Sequence, residues 1–272
     1  MPTASQRILL DFFQKHLPFT PTPGQIDQFE RDLALVSPNL MRAALKEAHA
    51  GRAVQQGSFA QRRAAIFRIY YRKVAEHAQL FPIFHTFETA FRSTVAVELE
   101  AHYAKPDWWA PILTALRRGD NARSVAYLRG VKISKDTAHR IGQIIYAIEG
   151  DRLSRNVLAG VTDGYEFAEL CDLTHIGELV VEHWSLFGPR YFSQGRAITL
   201  SDFKAKFKRV REARNDIYHH KSVARMTNVV GAAEELLDRL GCSLDFAYRK
   251  ITATNLTPPS FAIAAHRQFN LW

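Results

Sequence analysis

The sequence predicts an all-α fold, and three observations carry that prediction. Apolar residues recur at the three- and four-residue spacing of amphipathic helices over most of the chain. No alternating apolar–polar run is bounded by a hairpin dipeptide such as Asn-Gly. Prolines, glycines and cap residues separate the periodic segments.

Taken in order, residues 5–17 read as a first helix, ended by the PFTPTPG segment of 18–24. A second helix fits 25–36. Ser37-Pro38 then supplies an N-cap and a proline at the first helical position, opening a third helix over 39–54 that closes near Gly57. Residues 59–80 form a long basic amphipathic stretch with Arg62, Arg63, Arg68, Arg72 and Lys73. That stretch reads as a solvated face or, alternatively, as additional RNA surface. Pro82 is expected to interrupt it. Residues 83–103 continue as another long helix, and AKPDWW at 104–109 is a break. Trp108, Trp109 and Trp184 read as core or loop anchors. Shorter helices fit 110–118, 121–129 and 134–149. Residues 163–187 read as one long helix with an acidic first half, followed by an irregular loop over 188–198. Helices over 200–221 and 222–241 follow, with an irregular stretch at 252–261. The expected division is an N-terminal helical region (1–80), a main helical domain (81–250) and a C-terminal tail (251–272).

The chain has 272 residues, with 47% hydrophobic and 23% charged, which is the composition of a packed globule and not of a disordered chain. Two cysteines, Cys171 and Cys242, exclude a disulfide framework and suit a reducing cytosol. No apolar run approaches the ~18 residues of a membrane span. The first residues lack a signal-peptide layout, because Asp11, Gln14 and Lys15 break the apolar stretch. The expected location is the cytoplasm, with no membrane partner. Thirty-six Lys and Arg against 27 Asp and Glu give a net charge of +9, which makes nucleic acid the first partner to consider.

Common nucleotide cradles are absent, since neither Gly-x-Gly-x-x-Gly nor Gly-x-x-x-x-Gly-Lys occurs. There is no Cys-x-x-Cys and no His-Glu-x-x-His, so no metal and no cofactor is expected. Cys171 and His175 lie four apart on one expected helical face, which reads as a buried cysteine beside a satisfied histidine. Glu178 and Glu182 read as a solvated acidic face.

Charge is unevenly placed. Residues 163–184 hold six acids and no Lys or Arg, whereas residues 201–225 hold eight basic residues against three acids, a net of +5. On a helix at about 100° per residue, with Phe203 at zero, Phe207 falls near 40°, Val210 near −20° and Ile217 near −40°. Arg214, at roughly 20°, lies in the middle of that seam, where an arginine is costly unless paired. Beside the seam come Arg211, Lys204, Asn215, Lys208 and His219, at roughly 80° to 160°. That flank reads as a phosphate-facing surface carrying one side chain able to move protons near neutral pH. Glu212, Asp216, Arg209 and His220 fall on the other side.

The stretch REARNDIYHH, residues 211–220, resembles the Arg-Asn-(x)3-His signature of HEPN domains, and is most similar to their Abi-like, abortive-infection branch. The run-up, HWSLFGPRYF at 183–192 and TLSDFKAKFKRVREARN at 199–215, fits as well. So does FETAFRSTVAVELEAHYAKPDWW at 87–109, which is similar to the Glu-x-x-x-Arg helix and aromatic break of Abi-like proteins. The resemblance spans roughly 85–225. It implies a HEPN-type helical bundle, with additional helices at its N-terminal side, that forms a homodimer through the motif helix. It also implies a metal-independent endoribonuclease, a toxin or antiphage effector with an antitoxin or other regulatory partner. Matched residue by residue, Arg214, Asn215, His219 and His220 fall on the catalytic positions. The resemblance gives Glu88, Arg92 and Tyr218 supporting roles. A tyrosine expected just after the motif in one sub-branch is replaced here by Lys221 and Ser222, which speaks against nucleotidylation of that site.

RNA carries its own nucleophile, the 2′-hydroxyl, so the protein need only move protons and stabilise charge on phosphorus. His219 is expected to carry protons, Arg214 to hold the scissile phosphate and Asn215 to orient one of them. Lys204, Lys208 and Arg211 would hold the RNA backbone. On one straight helix Arg214 and His219 stand about 140° apart, so a site shared across a two-fold is part of the expectation. Arg214 reads alternatively as the ordinary partner of an acid in 163–184. Two alternative functions stand: a non-catalytic helical module that binds RNA or a protein partner and uses the same seam only to dimerise, and a DNA-binding regulator, for which no helix-turn-helix spacing is found.

Overall fold

The structure is a computed structural model that describes residues 4–15, 20–51, 57–150, 156–192 and 197–244. The expected irregular segment at 252–261 lies outside them. Eleven α-helices and one two-stranded hairpin form among the described residues. The chain is mostly helical, as the periodicity predicts.

Helices α1 (Ala4–Lys15), α2 (Pro23–Leu33) and α3 (Pro38–Ala50) pack with the first part of α4 (Phe59–Tyr103). Their cluster buries Leu9, Phe13, Phe29, Leu33, Met41 and Ile66. Local chemistry sets the starts. Thr22 and Ser58 form capping boxes with Gln25 and Gln61, and Ser37 caps α3 with Pro38 behind it, as read from the sequence.

Pro82 does not interrupt α4. The helix runs 45 residues through it, about 68 Å at 1.5 Å per residue. The missing N–H leaves the Ala78 carbonyl without its usual donor, a local cost. Burial of Tyr70 and Leu80 before the proline and of Phe84, Phe87 and Phe91 after it keeps the helix in register with both clusters. The basic stretch 62–73 is a solvated face only in part, with Arg68 and Arg72 exposed. Arg62 is buried, and its Nε donates to the Gly57 carbonyl at 2.9 Å. Arg63 pairs with Asp32, and Arg72 and Lys73 pair with Glu47, tying α4 to α2 and α3.

The second cluster gathers the rest of α4 with α5 (Ala110–Arg117), α6 (Lys135–Glu149), α7 (Gly164–Leu170), α8 (Leu173–Glu182), α9 (Trp184–Phe192), α10 (Leu200–Tyr218) and α11 (Met226–Asp238). The break after α4 falls where expected, with Ala104 in the left-handed region. Trp108 and Trp109 are buried there as anchors, Trp108 stacked on Tyr103 and Trp109 on Phe167.

Three sequence expectations fail here for local reasons. Residues 121–129 are not a helix: Ala122–Ser124 make a single 3-10 turn, and Tyr127–Leu128 pairs antiparallel with Val131–Lys132. Arg129 and Gly130, both at positive φ, close that hairpin in the manner of a primed turn. Residues 163–187 are three elements, not one helix. Asp163 caps α7, and Asp172 caps α8 in a box with His175, so two acids of the run stop and start helices. Finally, 188–192 is helical, continuing α9 to Phe192 by burying Phe187 and Tyr191.

Candidate nucleic-acid interface along α10

Helix α10 is capped by a Thr199–Asp202 box and buries Phe203, Phe207, Val210, Ala213 and Ile217. Ala213 extends the buried arc away from Arg214. Arg214 therefore sits at the seam's edge, with its side chain 26% exposed, and not at its centre.

Its partner is Glu88 of α4, not an acid of 163–184. Arg214 Nε donates to Glu88 Oε2 at 2.9 Å and Nη2 to Oε1 at 3.3 Å. The remaining nitrogen, Nη1, donates to Asn215 Oδ1 at 3.2 Å. The guanidinium carbon lies 4.0 Å from the centre of the Tyr218 ring, a cation–π contact. Tyr218 itself lies against Phe81 at 4.8 Å. Glu88 is held in turn by Arg92 Nη2 at 2.6 Å, an i,i+4 pair. Arg92 also donates to the Ala168 and Cys171 carbonyls at the end of α7. One chain of charge-assisted bonds thus joins α4, α7 and α10 and fixes the Arg214 fork.

The end of α10 is a Schellman motif. The His220 N–H donates to the Ile217 carbonyl at 3.0 Å and the Lys221 N–H to the Asp216 carbonyl at 2.7 Å, with His220 at φ 52. A left-handed histidine costs on the order of 1–2 kcal/mol, and strain of this kind gathers at functional positions. The N-terminal helices brace it: Ser37 Oγ donates to the His220 carbonyl at 3.1 Å, and the His77 and His220 rings stack at 5.7 Å. Burial, with the nearby His220, holds the His77 imidazole below the usual histidine range. His219 is the C-cap of α10 and is exposed.

Three residues of the expected phosphate-facing flank, without Asn215 and His219, lie along one groove. Lys204, Lys208 and Arg211 of α10 face Glu178 and Glu182 of α8, with Arg140 of α6 at the rim, around a cavity of about 320 Å³. Among the described residues Arg211 reaches only Thr174 Oγ1, at 3.5 Å. The structure thus brings Arg214, Asn215, Tyr218, Glu88 and Arg92 together and places Lys204, Lys208 and Arg211 in an adjoining groove. His220 instead faces the N-terminal helices. Cys171 and His175 do not share a helical face: Cys171 ends α7, and His175 serves the cap of α8. Burial pushes the Cys171 thiol up to about 12, so it stays protonated.

Phe81, His77, Ser37 and Arg140 were not legible as part of this region. Phe81 adjoins Pro82, where the helix was expected to stop, and the other three reach α10 or its groove only through tertiary packing. Among the described residues no helix is long and apolar enough to cross a membrane. Compared with family models, curated proteins and solved structures, the chain matches none.

Proposed function

We propose that the protein is a metal-independent endoribonuclease of the HEPN, Abi-like kind, a cytoplasmic toxin or antiphage effector that acts as a homodimer on RNA under the control of an antitoxin or similar partner. The observation that carries this reading is the fixed Arg214 fork. Its Nη1 is directed at Asn215, one helical turn before an exposed His219. The likeness of residues 211–220 to the family signature supplies the reaction.

In that reaction the 2′-hydroxyl loses its proton to a histidine and its oxygen attacks phosphorus. The bond to the 5′-oxygen breaks, and the leaving oxygen takes a proton. The products are a 2′,3′-cyclic phosphate and a free 5′-hydroxyl. His219 of one protomer and its mate serve as base and acid, with His220 as the second histidine of the motif. Arg214 and Asn215 stabilise the charge that grows on the phosphate oxygens. Glu88, Arg92 and Tyr218 hold Arg214 in place, and Lys204, Lys208 and Arg211 carry the flanking backbone.

A second reading, a non-catalytic RNA-binding or protein-interaction module, is favoured by one observation: two of Arg214's nitrogens are already engaged by Glu88. Total cellular RNA incubated with the protein in chelator, with sequencing of fragment ends, separates the two. Cleavage that leaves cyclic phosphates, lost in His219→Ala while RNA binding and dimerisation persist, supports the nuclease. No cleavage by the wild-type chain in chelator or with added metals defeats it.

A further inference from the structure

The groove between α8 and α10 has opposite charge on its two walls, and the walls do not pair with each other. Among the described residues no ion pair joins α10 to α8. Lys204 and Glu182 have no ion-pair partner at all among them, and Glu178 is engaged only by Arg140, at 3.5 Å. Between the walls the floor is apolar and carries the Phe203 and Phe207 rings. The Phe207 ring lies directly over bare Gly177, where an added Cβ would stand 2.1 Å from a ring carbon. Val181 continues that floor. At about 320 Å³ the cavity is at the small end of the range for small-molecule sites. Arg211 lies one turn before Asn215, about 6 Å along the helix, so the groove adjoins the motif end.

A ligand suited to this groove is flat, carries negative charge toward α10 and presents N–H donors toward α8. A nucleotide has that form, and the carboxylates select among bases. An ionised carboxylate only accepts hydrogen bonds. Guanine alone offers it two adjacent donors, N1–H and N2–H. Adenine and cytosine place a ring-nitrogen acceptor beside their amino group, and uracil flanks its single N–H with carbonyls. We infer that this groove is a base-reading pocket for a guanine nucleotide of a bound RNA strand, with Glu182 accepting the two N–H donors and Lys204, Lys208 and Arg211 facing the phosphates. The assignment rests on the proposal that α10 faces RNA and adds the base that it reads.

The test is binding of short 2′-O-methyl oligonucleotides, which have no free 2′-hydroxyl to react. Each is a uridine strand with one central guanosine, inosine, adenosine or cytidine. The wild-type chain is expected to prefer guanosine over each of the others by on the order of tenfold, the scale of one bidentate base contact. Inosine, which lacks the N2 amino group, isolates the second donor. Glu182→Gln turns one acceptor into a donor at a half-exposed position. It is expected to erase the preference without weakening binding of the all-uridine strand. Equal binding of all strands by the wild-type chain, a preference that survives Glu182→Gln, or no RNA binding would each overturn the assignment. Guanosine preference without cleavage of unmodified RNA removes the nuclease and keeps the pocket. Cleavage with no base preference does the reverse.

Discussion

The interior of the helical core and the surface of α10 treat ionisable groups in opposite ways. In the core, His183 donates from Nδ1 to the Leu179 carbonyl at 2.8 Å, since a carbonyl can only accept, and its Nε2 accepts a hydrogen bond from the Tyr103 hydroxyl at 2.7 Å. Glu149, equally buried, accepts from the Val157 and Leu158 N–H groups. Both of these groups find their partners inside the protein. Along α10, Lys204 and Arg211 have no carboxylate partner among the described residues, and His219 stands exposed at the helix end. Arg214 lies between the two regimes, clamped by Glu88 yet partly open to solvent. A titratable side chain is therefore informative by what it leaves unsatisfied, and three measurements probe that contrast.

The largest effect belongs to the sealed histidine. Burial, with a smaller contribution from His102, lowers the His183 imidazole to about 4, against the hydrogen bond to Leu179, which pulls it up. A lowered folded-state value means that the unfolded chain takes up the proton first. The stability this group protects is fully present above the unfolded value of 6.5 and is lost as pH falls toward 4. The loss amounts to about 3 kcal/mol across that window. Denaturant unfolding at pH 7 and pH 4 should show it. In His183→Gln, less stable at pH 7, this part of the pH dependence should vanish. A His183 ring that titrates near 6.5 by NMR would break the contrast.

Glu88 comes next, because it serves both regimes. Its side chain is 13% exposed and lies between Arg92 and Arg214. Glu88→Ala leaves two guanidiniums without their carboxylate in a partly screened place. The expected loss is roughly 1–3 kcal/mol, below the 3–5 kcal/mol of a fully buried broken pair. Under the nuclease proposal cleavage falls with it, and Glu88→Gln retains more of both. Unchanged thermal stability in Glu88→Ala would show that Arg214 is not held as described.

What was legible beforehand follows the same divide. Helix periods, the Ser37-Pro38 cap and the Trp108-Trp109 anchors are written in adjacent residues, and so was the charged flank of α10. The break at Cys171-Asp172 was hidden because aspartates suit a solvated helix face as well as an N-cap. The hairpin was hidden because Arg129 at positive φ is no turn signal, although Gly130 follows it. Pro82 misled because a strong local rule yields to packing on both sides of it. The Glu88–Arg214 pairing spans 126 residues and is set by how α4 crosses α10, which no local pattern encodes. Ala213 explains a finer error: a small residue counts little in a hydrophobic seam, yet it moves the buried face enough to bring Arg214 to the edge.

The smallest stability effect is the most useful for function. Lys204 and Lys208 are exposed, and Lys208 makes only an exposed pair with Glu212 at 3.8 Å. Replacing Lys204, Lys208 and Arg211 together by Ala should change folding stability by no more than about 0.5 kcal/mol per site, the range of most surface charges. If the three face RNA phosphates, the same variant loses three counterion-releasing contacts. The slope of log affinity against log salt for a single strand should then shrink by about 2, at roughly 0.7 per contact. Arg214→Ala offers the opposite signature, a clear loss of stability with a change in slope no larger than one contact. A triple variant that unfolds, or one whose slope is unchanged, would mean that these cations belong to the fold and not to a ligand, and the division between the two regions would fail at α10.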